Sequence, residues 1–439
     1  MSLMRIDEIF SFEKGVLQSS KCVPGEFDFI TASSDWKTHN DYTHDCEALI
    51  FAAAASGSLG RTHYVNGKFV SSDLCFIITP KDQENLPVDL KFYHILFNEL
   101  KNEIVRNTKA GTSKEAIGLG SFGRYELPYF DIDTQIEIKN RFVNSEETKE
   151  QLSTELTHQL DLVKKLRQQL LQDAVQGKLV PQDPNDDPAS ELLKKIKAEK
   201  QKLIAEGKLK KEKELPPIKA VEIPFEIPKS WVWCKINELV YSAKDAIKTG
   251  PFGTALNKSE HKNEGIPVWG IESISKDGRF TNKNKIFVDK EKADDLRSFG
   301  VKGGDLIISR SGTIGELCMI PYETQYGLLS TNLMKISVNK NVILPEYFCH
   351  IIKGGDFIKK MLFEFCSGST RLFLTQNIIA KLIFPLPPKL EQHRIVQKLD
   401  KLMQTCDALE TSIKESAAQN EKLLQQVLRE ALREKLIEA

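Results

Sequence analysis

The hydrophobic and polar positions of this chain follow two patterns. Short apolar runs bounded by Gly, Asn and Asp read as strands: "CFIITP" (75–80), "VWGIES" (268–273), "DLIISR" (305–310) and "NLMKISV" (332–338). Two long segments instead carry apolar positions at helical spacing. In the first, Leu152, Leu156, Val163, Leu166 and Leu170 step by four, seven, three and four, with Gln159 filling one slot. In the second, Leu409, Ile413, Asn420, Leu423 and Val427 repeat those steps. This is a heptad seam, and it predicts two helices that bury their stripes against each other. The first helix is expected from about Asp133 to Leu179 with Asp133 as its cap, and Pro388 stands where an N1 proline opens the second. At about 1.5 Å per residue, each helix is roughly 70 Å long. Asn420 is a polar residue on the seam, a type that fixes register.

These elements belong to a repeat. Ser56-Gly57-Ser58-Leu59-Gly60 matches Ser311-Gly312-Thr313-Ile314-Gly315 at an offset of 255. Further along, Gly111 pairs with Gly368, Pro128 with Pro385, Gln135 with Gln392, Gln168 with Gln425 and Leu179 with Leu436, all at 257. A constant offset over so long a stretch marks a duplication. The expected fold is therefore α+β: two β-rich modules, each followed by a long helix, the helices pairing as an antiparallel coiled coil with pseudo-two-fold symmetry. The boundaries read as module 1–130, helix 131–180, charged and proline-rich connector 181–218, module 219–387 and helix 388–439. Antiparallel pairing is favoured because it leaves Val180 close to the second module. Pro128 and Pro385 are expected to stop the strands before the helices. The two SGxxG stretches read as tight turns between strands, with glycines at positive φ. Their hydroxyls and amides would also suit phosphate.

Composition narrows the function by exclusion. The 439 residues carry no net charge and are 41% hydrophobic, which fits two to three ordinary domains. The charge is uneven, roughly +6 over 219–390 and roughly −5 over 1–145, so local basic patches are compatible with the neutral total. No apolar run approaches about 18 residues, and "MSLMRIDEIF" lacks a signal-peptide pattern. The eight cysteines form no CxxC pair and read as reduced thiols of a cytoplasmic protein. "GLGSFG" (118–123) satisfies GxGxxG, but no helix is expected to follow it, and Thr375, Asn377 and Ala380 replace its glycines in the second copy. His39, His44, Asp45 and Cys46 in "THNDYTHDC" have no second cluster to complete a metal site. No cofactor, metal or catalytic set emerges, which points to a binder with two similar half-sites on one ligand. Duplex DNA offers half-sites about 34 Å apart, one helical turn. The candidate DNA contacts are Ser56, Ser58, Arg61, Thr112, Ser113, Lys114 and Arg124 in the first module. In the second they are Arg310, Ser311, Thr313, Ser369, Thr370 and Arg371.

The "GGDLI" strand entry, the SGxxG turn and "SGST" resemble the target-recognition domains of type I restriction–modification specificity subunits. "FPLPPKLEQHRIVQKLD" and "LLQDAVQGKLV" are similar to that family's junctions and helices. The resemblance implies a non-catalytic subunit that recognises a bipartite target in double-stranded DNA. It also implies two modification subunits carrying S-adenosylmethionine chemistry, and restriction subunits that supply nuclease and translocase work with ATP and Mg. The first copy departs from the pattern, with "PYFDIDTQIEI" in place of "PLPPKLEQ". The competing readings are a self-contained methyltransferase or nuclease, which the missing Asn/Asp-Pro-Pro-Phe/Tyr motif disfavours, and a coiled-coil scaffold, for which two globular copies would be superfluous.

Overall fold

The computed structural model describes residues 2–54, 57–110, 116–212, 215–252, 255–275, 278–284, 286–311, 314–366 and 373–437. It divides into two compact units, Met1–Gln159 with Ile413–Ala439, and Leu160–Ser412. The long helices Ile132–Val175 and Lys389–Ile437 are each shared between the units, so each unit combines the start of one helix with the end of the other.

The first unit is built on a six-stranded sheet. Its order is Phe10–Lys14, Cys75–Pro80, His44–Ala52, Thr62–Ser71, Phe27–Ile30 and Lys37–His39. Alternation along the strands sends side chains to two cores. Leu49, Phe51, Phe76 and Ile78 face the helix Leu90–Glu99, where they meet Phe92, Tyr93, Leu96 and Phe97. Ala48, Ile50, Val65, Phe69 and Ile77 pack on the other face. Phe122 lies among the rings of Phe12, Phe51, Phe76 and Phe97 at 4.5–6.0 Å between centroids.

In the second unit the corresponding long hairpin is broken into two four-stranded sheets. One runs Ile247–Thr249, Leu333–Ile336, Leu306–Ser309, Leu317–Met319. The other runs Ile286–Val288, Ile266–Trp269, Gly327–Leu329, Gly300–Val301. The break falls at Gly303-Gly304. Gly304 has φ +85°, and a Cβ on Gly303 would come within 2.5 Å of the Tyr322 backbone, so glycine is required at both. Of "VWGIES", only the first two residues are strand; Ile271–Ser273 turns as a short 3-10 helix.

Several local expectations are corrected. Pro128 and Pro385 do not stop strands but lie inside them. Glu126–Tyr129 pairs with Ser2–Arg5, and Ile383–Leu386 pairs with Val232–Lys235, each as a two-stranded ribbon. A ribbon strand has one open edge, so it can carry a residue with no N–H to give. The first helix is capped by Asp131, not Asp133: Asp131 Oδ1 accepts from the Thr134 amide at 2.9 Å. That helix ends at Val175, not Leu179, because Gly177 at φ +70° lets the Lys178 amide reach back to the Asp173 carbonyl at 2.8 Å. A short helix, Leu119–Gly123, occupies "GLGSFG" itself and leads directly into the Glu126–Tyr129 strand.

Ala189–Ala205 is a helix whose Ala189, Leu192, Leu193 and Ile196 enter the core of the second unit. Asp186, its side chain only 3% exposed, holds the Arg394 guanidinium at 2.5 Å, tying this segment to the second long helix.

Candidate nucleic-acid interface

Both SGxxG stretches connect antiparallel strands. His44–Ala52 pairs with Thr62–Ser71, and Leu306–Ser309 pairs with Leu317–Met319. The two turns are closed by bonds of the same kind, around loops that differ by two residues in length. Gly60 N donates to Ala52 O at 2.8 Å and Gly315 N to Ser309 O at 3.1 Å. Ala52 N donates to Arg61 O, and Ser309 N to Glu316 O, both at 2.8 Å. Gly57, Gly60 and Gly315 all have positive φ, at 78°, 80° and 91°. The turn reading is therefore correct for these glycines.

The described candidate residues fall into three places. Ser58 and Arg61 come together: Arg61 Nη1 reaches Ser58 Oγ at 3.4 Å and the Ala32 carbonyl at 3.3 Å. Arg310 and Ser311 also come together, with Asn332. Arg310 N donates to Asn332 O at 3.0 Å, and Ser311 Oγ to Asn332 Oδ1 at 3.0 Å. Arg124 is exposed and sits at the C-terminal end of the short helix Leu119–Gly123. Ser56, Thr112, Ser113, Lys114, Thr313, Ser369, Thr370 and Arg371 lie outside the described residues.

The sequence reading missed the aromatic neighbours of these turns. In the second unit the Arg310 guanidinium lies 4.7 Å from the ring centroid of Phe252 and 5.7 Å from that of Phe373. Both rings are exposed, at 56% and 41%. In the first unit Trp36 Nε1–H points to His63 Nδ1 at 3.3 Å, while His63 Nε2 donates to Ser33 O at 2.8 Å. Arg61 and His63 thus hold the 32–36 loop beside the turn. Burial pushes the His63 pKa down, with Arg61 and His94 adding to the effect. No sequence signal joins Phe252, Arg310 and Phe373, which are far apart in the chain. The His39–Cys46 cluster is used structurally: His39 Nδ1 accepts from Val23 N at 3.1 Å, and His44 Nε2 meets Glu13 Oε1 at 2.7 Å. Among the described residues no group of three or more His, Cys, Asp or Glu is placed to hold a metal ion.

The helix seam is narrower than a full heptad reading. Leu156, Val163, Ile413 and Asn420 are buried, and Leu170 packs on the core of the second unit. Leu152, Leu166, Leu409 and Leu423 are instead 39–44% exposed. The buried residues share one heptad position and the exposed leucines share another. Two helices cover only a narrow stripe, so the second column stays open. Val427 lies on the helix, but its side chain is outside the described set. Pairing is antiparallel. In the first unit Asn420 Nδ2 donates to Lys149 O at 2.9 Å, and Lys149 Nζ meets Glu421 at 3.3 Å. In the second, Arg167 meets Asp407 at 2.7 Å and Glu410 at 3.1 Å.

The family model described as "Type I restriction modification DNA specificity domain" matches residues 1–160 and 228–419. The chain belongs to this specificity family. It is 33% identical over 258 residues to the type I restriction enzyme EcoAI specificity subunit of Escherichia coli, covering 57% of this chain and 41% of that protein. It is 29% identical over 275 residues to the EcoEI specificity subunit of the same organism, covering 61% of this chain and 44% of the relative. These matches thus span less than half the length of either relative. The crystal structure of the HsdS subunit from Thermoanaerobacter tengcongensis shares the fold, with a TM-score of 0.52 at 16% identity over 98% of this chain and 96% of that one. The two matched segments of the specificity domain coincide with the two copies of the internal repeat.

Proposed function

We propose that this chain is the non-catalytic DNA sequence-specificity subunit of a type I restriction–modification complex, with each module reading one half of a bipartite target in duplex DNA. The observation that carries the reading is the duplication of one specificity domain over residues 1–160 and 228–419, with an SGxxG turn between antiparallel strands in each unit. Turns at the same place in each module, with different lengths and neighbouring side chains, are what two readers of different half-sites need. Arginines and hydroxyls at the turns can contact base edges and phosphates.

Methyl transfer and cleavage are assigned to partners: two modification subunits using S-adenosylmethionine, and restriction subunits using ATP and Mg. The open leucine columns support docking of partner helices, Leu152 with Leu423 in the first unit and Leu166 with Leu409 in the second. The seven described cysteines are all free, which suits work beside the chromosome in a reducing compartment. The test is methyl transfer from labelled S-adenosylmethionine to DNA, by the pure chain and by the chain with its modification subunit. Transfer only by the complex, at a sequence set by this chain, is expected; transfer by the pure chain overturns the assignment.

A further inference from the structure

We infer that Arg310, held against Phe252 and Phe373, is the side chain with which the second unit reads a guanine in its half-site. The inference rests on the DNA-specificity reading and names the residue and base that carry it. Arg310 is pinned at its root: its amide donates to Asn332 O at 3.0 Å, and its carbonyl accepts from Leu374 N at 3.1 Å. The guanidinium then lies over two aromatic rings, at 4.7 and 5.7 Å from their centroids. Its Nε is buried without a partner, and its one described side-chain hydrogen bond, from Nη1 to Thr331 O, is long at 3.5 Å.

Four other arginines are spent on carboxylates. Arg5 pairs with Asp7, Arg167 and Arg279 with Asp407, and Arg394 with Asp186. No described carboxylate pairs with Arg310, and burial is what pulls its pKa down. A half-buried cation without a carboxylate, its plane steadied by rings, is poised for an acceptor from outside. Guanine presents O6 and N7 together, which match a guanidinium fork. A phosphate contact alone would not require the fork to be oriented by two rings. Phe252 and Phe373 are positioning residues in this account, and their exposed faces can also cover an incoming base. The first copy has no arginine at the entrance to its turn: Ala53, Ala54 and Ala55 lead into Ser56. The device therefore belongs to one half-site only.

The test uses the complex of the full chain with its modification subunits, and a duplex library randomised across both half-sites. Methylation rates are compared for the wild type, Arg310→Ala, Arg310→Lys, Phe252→Leu and Phe373→Leu. Arg310→Ala is expected to lower the preference for guanine at one base pair of one half-site by roughly 10- to 100-fold, with the other half-site unchanged. Each Phe→Leu change should weaken that same preference by roughly 2- to 5-fold, because the ring face is lost while apolar bulk is kept. Arg310→Lys keeps the charge without the fork and should give an intermediate loss at the same position. A loss spread evenly over all sequences, with the salt slope reduced by about one, would make Arg310 a phosphate contact and overturn the inference. Unchanged preference in all four variants would make the cluster a packing feature and also overturn it. Either result leaves the DNA-specificity reading standing; a wild-type complex without sequence preference would remove both. If Arg310→Ala does not assemble, Arg310→Lys and the two phenylalanine variants decide the matter.

Discussion

Gln135 and Gln392 make the same three hydrogen bonds in their respective units. Gln135 Nε2 donates to Phe130 O at 2.8 Å and Pro87 O at 3.0 Å, and its Oε1 accepts from Asp89 N at 2.8 Å. Gln392 Nε2 donates to Pro387 O at 3.1 Å and Val342 O at 3.0 Å, and its Oε1 accepts from Leu344 N at 2.8 Å. Both residues are 0% exposed. Each lashes the first turn of a long helix to the module it leaves. Their pairing at an offset of 257 thus reflects a conserved piece of carpentry within the duplication.

Truncating either glutamine strands three buried backbone groups. Gln135→Ala and Gln392→Ala should each destabilise their own unit by about 2–5 kcal/mol, since one buried unpaired group costs about 1–3 kcal/mol. Denaturant unfolding measures this; a change below about 1 kcal/mol in both would show that water replaces the bonds.

Arg394 and Asp186 form the ion pair that ties the segment after the first helix to the second helix. Asp186 is the more buried partner, with its side chain 3% exposed against 33% for Arg394. Arg394→Met should therefore cost more than Asp186→Asn, by about 1–3 kcal/mol, because it leaves a buried carboxylate unpaired. Equal costs from the two changes, measured by urea unfolding, would contradict the assignment.

Asn420 is buried on the helix seam with its Oδ1 unpartnered. Asn420→Val should raise thermal stability, by about 1 kcal/mol, while loosening the register that the Asn420–Lys149 hydrogen bond fixes. Cysteine pairs, one on each helix, placed in register or one turn out of it and oxidised with a disulfide reagent, would report the looser register by cross-linking in both placements; cross-linking of the in-register pair alone would show that other contacts set the pairing.

Burial holds both His63 and His94 below the ordinary histidine pKa. Both donate Nε2–H to a carbonyl, of Ser33 and Thr62 respectively, and burial outweighs these bonds in disfavouring the charged form. Below about pH 6.5 the unfolded chain binds more protons than the folded one. Stability of the first unit is therefore full above that value and falls as pH drops through the lowered folded values. Thermal melts from pH 7.5 to 5 should show the decline, and His63→Gln with His94→Gln should flatten it. A flat wild-type profile would contradict the sign.

Much of this architecture was legible because duplication and helical periodicity survive in the sequence. Gln135 with Gln392, the SGxxG turns and the long helices could all be aligned directly. Arg5-Ile6-Asp7-Glu8-Ile9 pairs with Lys235-Ile236-Asn237-Glu238-Leu239 as well, but insertions within the second module put this pairing at an offset of 230, out of step with the rest of the repeat. In the structure both stretches close alike: Arg5 N donates to Glu8 at 3.0 Å and Lys235 N to Glu238 at 2.8 Å. The exposed leucines could not be told from the buried ones, since periodicity marks an apolar column but not whether its partner lies within the chain. The ring cluster around Arg310 depends on residues brought together only by tertiary folding, and no local pattern announces it.

The central claim is that each module reads its own half of one DNA target. Exchanging residues 1–128 for the recognition domain of a relative with a different target, and mapping methylated motifs in cells carrying the hybrid with its modification subunits, tests it most directly. One half of the methylated motif should change to that of the donor while the other half stays as in the wild type. A motif altered in both halves, or in neither, from a folded and active complex would contradict the account.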